Sequence, residues 1–166
     1  VMEVRKVGVV GCGLMGSGVS QVSDEKGYQT VVREVTQELL DRGLTSIQKY
    51  LDKTIAKGKA TLEQKEMVNR NLTGTTKLKD LGSCDLVIEA VTEDIKTKND
   101  VFKELDSLCP EHTVFASNTS SIKIAEMAKA TSRPDRFVGL HFFNPVPVMR
   151  LVEVVRTPST SDKTFE

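Results

Sequence analysis

At 166 residues the chain has the length of one domain built on one core, and its 39% apolar and 28% charged content describes an ordinary soluble globule. Lys plus Arg and Asp plus Glu both number 23, so the zero formal net charge excludes a surface drawn generally to nucleic acid or membrane and confines any anion site to a local patch. Apolar runs are only a few residues long and the start lacks a signal-peptide core, which excludes a membrane span and predicts a cytoplasmic protein.

Val7 to Val10 predicts a short strand buried on both faces, followed at once by Gly11-Cys12-Gly13-Leu14-Met15-Gly16 and then by a helix marked by Leu14, Met15, Val19 and Val22. Three glycines can simply close a turn. The order strand, GxGxxG, helix points further, to a dinucleotide cradle: Gly11 for the tight turn, Gly13 for backbone approach to a pyrophosphate, Gly16 for close helix–strand packing, with the phosphates on the positive helix end. The cysteines Cys12, Cys84 and Cys109 have neither disulfide nor zinc spacing and read as buried or bystander thiols, and no metal site is expected. Cys12, beside a helix N-terminus, is the one whose pKa is expected to fall.

Gly27 closes this helix, and Tyr28 to Arg33 predicts a second strand ending at Glu34, placed about 20 residues past the glycines as a carboxylate for an adenosine ribose, or simply as an acidic opening to the next helix. Arg33 could greet a 2′-phosphate, but Glu34 repels that group, which favours NAD over NADP. Leu39, Leu40, Leu44, Ile47, Leu51 and Ile55 then recur at helical spacing up to about Gly58, with Lys49, Lys53, Lys57 and Lys59 at the far end as a solvated face. Thr61 to Gln64 reads as a capping box opening a short polar helix to about Asn69.

Leu72 to Thr75 and Asp85 to Ala90 predict strands, the second delivering Val91-Thr92-Glu93-Asp94 to the crevice where open α/β sheets bind ligands. A helix carrying Ile95, Val101, Phe102, Leu105 and Leu108 stops at Pro110, and His112 reads as a loop residue without a role. After a strand over Thr113 to Ala116 comes Ser117-Asn118-Thr119-Ser120-Ser121, in which Ser120 or Ser121 is the expected helix cap and the position at a strand end is also active-site ground. Phe137 to Phe143 and Leu151 to Val155 are the last strands, parted by Asn144-Pro145-Val146-Pro147. Strand and helix alternate without a linker or repeat, which predicts a parallel sheet with helices on both faces.

Two polar residues interrupt these last apolar strands, His141 and Glu153. A carboxylate among Leu151, Val152, Val154 and Val155 is expected to be buried and to need a partner, either Arg150 or Arg156 as a structural salt bridge, or His141. In the second case the carboxylate fixes the imidazole tautomer and raises its basicity, making a dyad able to take the proton of an alcohol beside a nicotinamide.

VGVVGCGLMGSG, DLVIEAVTED, FASNTSS and DRFVGLHFFNPVPVMRLVEVV together resemble the NAD-binding domain of the L-3-hydroxyacyl-CoA dehydrogenase family, which includes bacterial 3-hydroxybutyryl-CoA dehydrogenases. The resemblance implies an α/β, Rossmann-type fold with a helical insert after the second strand. It implies His141 as catalytic base, Glu153 as its orienting carboxylate, Ser120 as a substrate contact and Asn144 as an active-site asparagine. It further implies NAD held by Gly11, Gly13, Leu14, Met15, Gly16, Glu34, Ala90, Glu93 and Lys98, with Lys57 on the coenzyme A part of an acyl-CoA substrate. Many members have Asp where this chain has Glu34. The family's two-domain design implies residues 1–166 as the cofactor domain, with the helical C-terminal domain of a homodimer missing and little turnover by this chain alone. The expected reaction is reversible oxidation of a (3S)-hydroxyacyl-CoA with NAD, in the cytoplasm or, for a eukaryotic source, the mitochondrial matrix. A non-catalytic dinucleotide module and a dehydrogenase of a free 3-hydroxy acid are the alternatives.

Overall fold

A computed structural model describes residues 3–166. Its strands are β1 (Lys6–Val10), β2 (Gln29–Arg33), β3 (Leu72–Thr75), β4 (Leu86–Glu89), β5 (Val114–Ser117), β6 (Phe137–Phe142) and β7 (Val152–Arg156). They form one sheet in the order β3-β2-β1-β4-β5-β6-β7, parallel except for β7, which runs antiparallel to β6. The helices are α1 (Leu14–Glu25), α2 (Gln37–Ala56), α3 (Leu62–Asn71), α4 (Ile95–Leu108), α5 (Ile124–Ala128) and α6 (Asp162–Phe165). The order reverses between β1 and β4, and the crevice outside their carboxyl ends is where such sheets bind ligands.

Short strands with both faces covered explain the continuous apolar runs. Val10 and Val87 face Phe102 and Leu105 of α4, while Val7, Val9 and Ile88 face Val19 of α1 and Leu40 of α2. Phe102 also meets Phe115 and Phe137 at ring distances of 5.8 and 4.6 Å. Local signals set the ends of the insert: Thr36 caps α2, and Thr61 with Gln64 closes the expected capping box on α3. Ile47 and Leu51 of α2 then bury Val68 of α3. No helix among the described residues is long and apolar enough to cross a membrane.

Two expectations are corrected here. Neither Ser120 nor Ser121 caps a helix, because α5 begins only at Ile124, behind Lys123. Thr119 instead turns the loop, its hydroxyl accepting from the Ser121 and Ile122 amides. His112 is an exposed turn residue before β5, 3.1 Å from Asp85 Oδ1 at the end of the sheet away from the crevice. Strand β7 is not buried: it is the exposed edge of the sheet, and Val152, Val154 and Val155 remain accessible.

Candidate active site

The glycine loop is shaped by contacts only glycine permits. Gly11 has φ +99°, and a β-carbon there would come within 2.7 Å of the Ala90 carbonyl oxygen. A β-carbon on Gly16 would run into the Gly11 carbonyl, so this glycine lets α1 sit directly on the loop. At Gly13, by contrast, an added β-carbon would meet nothing within 4 Å. The backbone is open there, and α1 begins at Gly13 with no side-chain cap and no acidic residue in its first turn. Uncapped N–H groups and a positive helix end form the cradle a pyrophosphate requires.

Glu34 stands at the end of β2 with its carboxylate turned to this loop. Oε2 accepts from the Cys12 amide at 2.9 Å and Oε1 from the Val35 amide at 2.8 Å, and each oxygen keeps a further lone pair for a ribose hydroxyl. Arg33 O accepts from the Gly11 amide at 2.8 Å, while its buried Nε has no hydrogen-bond partner among the described residues. The expectation for Cys12 is reversed. Its thiol is buried, and burial, reinforced by the Glu34 charge, pushes its pKa up to about 12. Leu14 is exposed and Met15 half-buried on the first turn of α1, and Ala90 N donates to Val10 O at 2.8 Å, which seats the end of β4 against the loop.

Glu93 and Lys98 lie in a charge network on the β4 side of the crevice. Glu93 accepts from the Thr119 hydroxyl at 2.6 Å and the Ser121 hydroxyl at 3.0 Å. Burial raises its pKa, but the Thr119 hydroxyl, the Lys98 charge and the Ser121 hydroxyl outweigh that and hold it below the ordinary carboxylate value. Lys98 lies at the buried side of this network. It is 1% exposed, with its ammonium taken up by Glu89 at 2.5 Å, by Val91 O at 3.2 Å and by Glu93 at 3.3 Å. Sequence reading passed over Glu89, although a carboxylate inside the run DLVIEA was the available signal.

The register of β6 and β7 makes His141 and Glu153 direct cross-strand partners. Nδ1 of His141 lies 3.2 Å from Oε2 of Glu153, and the ring packs on Phe143 with centroids 4.6 Å apart. The carboxylate is therefore paired with the histidine, and Arg156 is engaged elsewhere, with Asp162. Glu153 is 54% exposed and His141 22%, so burial does not force the pairing; geometry across the sheet edge does. Asn118 Oδ1 accepts from Phe142 N at 2.9 Å and ties the loop carrying the exposed Ser120 to the strand carrying His141.

Asn144 lines a cavity of about 140 Å³ together with Ser17 and Gln21 of α1 and Tyr50 of α2, three residues the sequence did not single out. Lys57 lies outside it, exposed at the C-terminal end of α2. Among the described residues no group of His, Cys, Asp and Glu could hold a metal ion.

A doubly wound sheet, an open glycine loop at its switch point and a carboxylate at the end of β2 turned to that loop define a dinucleotide-binding domain, and a histidine–carboxylate pair lies on the same sheet. The family model described as the NAD-binding domain of 3-hydroxyacyl-CoA dehydrogenase matches residues 6–166, and the chain belongs to that family. It is 48% identical over 170 residues to a protein named hydroxyacyl-coenzyme A dehydrogenase, mitochondrial, from Homo sapiens, covering 98% of this chain and 54% of that protein. A probable 3-hydroxybutyryl-CoA dehydrogenase of Deinococcus radiodurans is 48% identical over 159 residues, covering 96% of this chain and 57% of that one. The crystal structure of (S)-3-hydroxybutyryl-CoA dehydrogenase PaaH1 from Ralstonia eutropha superposes with a TM-score of 0.95 at 42% identity, covering 98% of this chain and 58% of that one. This chain thus spans just over half the length of the relatives it matches.

Proposed function

We propose that this chain is the cofactor half of an enzyme that interconverts a (3S)-hydroxyacyl-CoA and the 3-ketoacyl-CoA, with NAD as hydride acceptor. The observation that carries the reading is the His141–Glu153 pair on the strand beside the Asn118-tethered polar loop, at the same sheet that holds the glycine cradle. Gly11 to Gly16 hold the pyrophosphate, Leu14, Met15 and Ala90 border it, Glu34 takes the adenosine ribose, and Glu93 faces the crevice from the β4 loop. Bound there, the nicotinamide ring supplies the acceptor for hydride leaving C3. The unprotonated imidazole of His141 takes the C3 hydroxyl proton as the C–H bond gives up its electron pair, leaving a C=O. Glu153 holds the ring through Nδ1 and stabilises the imidazolium. Ser120 and Asn144 orient the hydroxyl and carbonyl groups, and Lys57 meets the coenzyme A phosphates.

The names of the relatives support the acyl-CoA substrate. Homodimerisation through a helical C-terminal domain belongs to the same proposal, and the accessible Leu151, Val152, Val154 and Val155 support it by leaving apolar surface on both sides of the edge strand. The compartment proposed is the cytoplasm, the human relative being mitochondrial by name.

The test compares acetoacetyl-CoA with free acetoacetate, each with NADH, in the full-length protein and in its His141→Gln variant. Turnover of the thioester alone is expected, falling by about 10² to 10⁴ in the variant while NADH affinity is kept. Equal rates on both substrates remove the coenzyme A assignment, and an unaffected variant removes His141 as base.

A further inference from the structure

Arg33 ends β2, in register with Val10 of β1 and Thr75 of β3. Alternation along the strand sends its side chain to the face opposite Glu34. Val32, on the Glu34 side, packs in one core with Val9 and with Leu40 of α2, whereas Val31, on the Arg33 side, belongs to the core of Leu78, Leu81 and Phe102 of α4. Two half-buried apolar residues lie against that second core at its crevice end: Val91, just past β4, and Ile95, which opens α4. Arg33 is itself partly buried, and its Nε is sealed from solvent with no hydrogen-bond partner among the described residues.

A buried N–H without an acceptor costs stability, so this side chain is not placed there for the fold's own sake. What a guanidinium has besides its N–H groups is a planar cationic face, and that face stacks on aromatic rings. The ribose assigned to Glu34 carries a purine, and the two sides of the strand end differ in what they offer it. On the Glu34 side α2 closes directly on the glycine loop, so tightly that a β-carbon on Gly43 would run into Cys12, and Thr36 caps α2 two positions after Glu34. On the other side stand Arg33, Val91 and Ile95. We propose that Arg33 is the purine-binding residue of the dinucleotide site, its guanidinium stacked on the adenine while Val91 and Ile95 supply the apolar part of the slot. This rests on the assignment of the site to a dinucleotide and of Glu34 to its ribose. It turns Arg33 away from a 2′-phosphate, which belongs beside the ribose hydroxyls on the Glu34 side.

The experiment is a cycle that changes the side chain and the base together, read by calorimetric titration of the full-length protein. Arg33→Met keeps an unbranched apolar stem and removes the planar cation with its unsatisfied Nε, so a parent-like Tm is expected without ligand. NADH affinity is expected to fall about five- to ten-fold. Reduced nicotinamide cytosine dinucleotide keeps both riboses, the diphosphate and the nicotinamide but carries a pyrimidine in place of adenine. It should bind the parent more weakly than NADH does and lose less than about two-fold in the variant, because the smaller ring leaves the guanidinium little to stack on. Equal losses on the two dinucleotides would mean that Arg33 acts only through the backbone or through Glu34, and would overturn the proposal. Unchanged NADH affinity overturns it as well, and a loss confined to NADPH would return Arg33 to the 2′-phosphate.

Should Arg33→Met not fold, Arg33→Lys decides in the same cycle, since it keeps the charge and the stem but has no planar face. NADH must then weaken by about two- to three-fold while the cytosine dinucleotide does not, and equal effects, or none, overturn the proposal. A parent that binds neither dinucleotide would instead count against the reading of the domain and take this proposal with it.

Discussion

His141 and Glu153 were legible as polar interruptions of apolar strands, but the reason the sequence suggested was the wrong one. Burial was expected to compel a partner, whereas β7 is an exposed edge and the pair exists because antiparallel register sets the two residues opposite each other. Cys12 shows the same limit. Its place in the loop suggested an activated thiol, yet packing under α2 buries it and pushes its pKa up to about 12. Cys12, Cys84 and Cys109 are all buried, so a thiol reagent at neutral pH should label none of them in the native protein and all three after denaturation. Prompt native labelling of Cys12 would mean that the cradle opens.

Between elements, the close contact of α2 with the glycine loop governs the cradle. A β-carbon on Gly43 of α2 would run into the Sγ and carbonyl oxygen of Cys12. Gly43→Ala gains up to about 1 kcal/mol in helix propensity. The overpacking costs about 1 to 3 kcal/mol, and backbone cannot move aside as a side chain can, so the clash wins. The variant should melt lower and bind NADH more weakly, because the displaced carbonyl belongs to the glycine loop proposed to hold the pyrophosphate. Equal NADH affinity at a lowered Tm would detach α2 from the cradle. Gly43 looked in sequence like any helical glycine, because the partner it accommodates lies 31 positions upstream.

At the scale of the molecule, buried carboxylates set the pH dependence of stability. Asp24 of α1 is fully buried and, among the described residues, neither oxygen has a well-formed hydrogen bond, the nearby Thr30 hydroxyl donating instead to Tyr28 O. Burial pushes its pKa from 3.8 to about 8, the Thr30 hydroxyl drawing it back and Glu25 adding to the rise. Its folded pKa lies above the unfolded one, so the folded state binds the extra proton between those values and stability falls as pH rises from about 4 to 8. Asp106 acts oppositely. Burial raises its pKa, but hydrogen bonds from Ser132 and Arg133 and the Arg133 charge prevail and lower it, so the stability it brings above the ordinary carboxylate value is lost on further acidification. Asp24→Asn should flatten the limb between pH 5 and 8 in thermal melts and raise Tm at pH 8 by a few degrees, about 1 to 3 kcal/mol. An unchanged slope would mean that Asp24 is solvated.

The element order, the glycine cradle with Glu34, the capped helical insert and the two catalytic candidates were determined by the sequence itself. Each depends on residue type at short spacing: period, cap, turn and the break in an apolar run. Only the tertiary structure decided that Glu89 and Lys98 are buried together, that Tyr50 meets Asn144 and that β7 is an open edge. Those facts depend on which distant segments share a strand end or a packed face, and a linear pattern carries no record of the charge that will stand opposite a carboxylate once the chain has closed on itself.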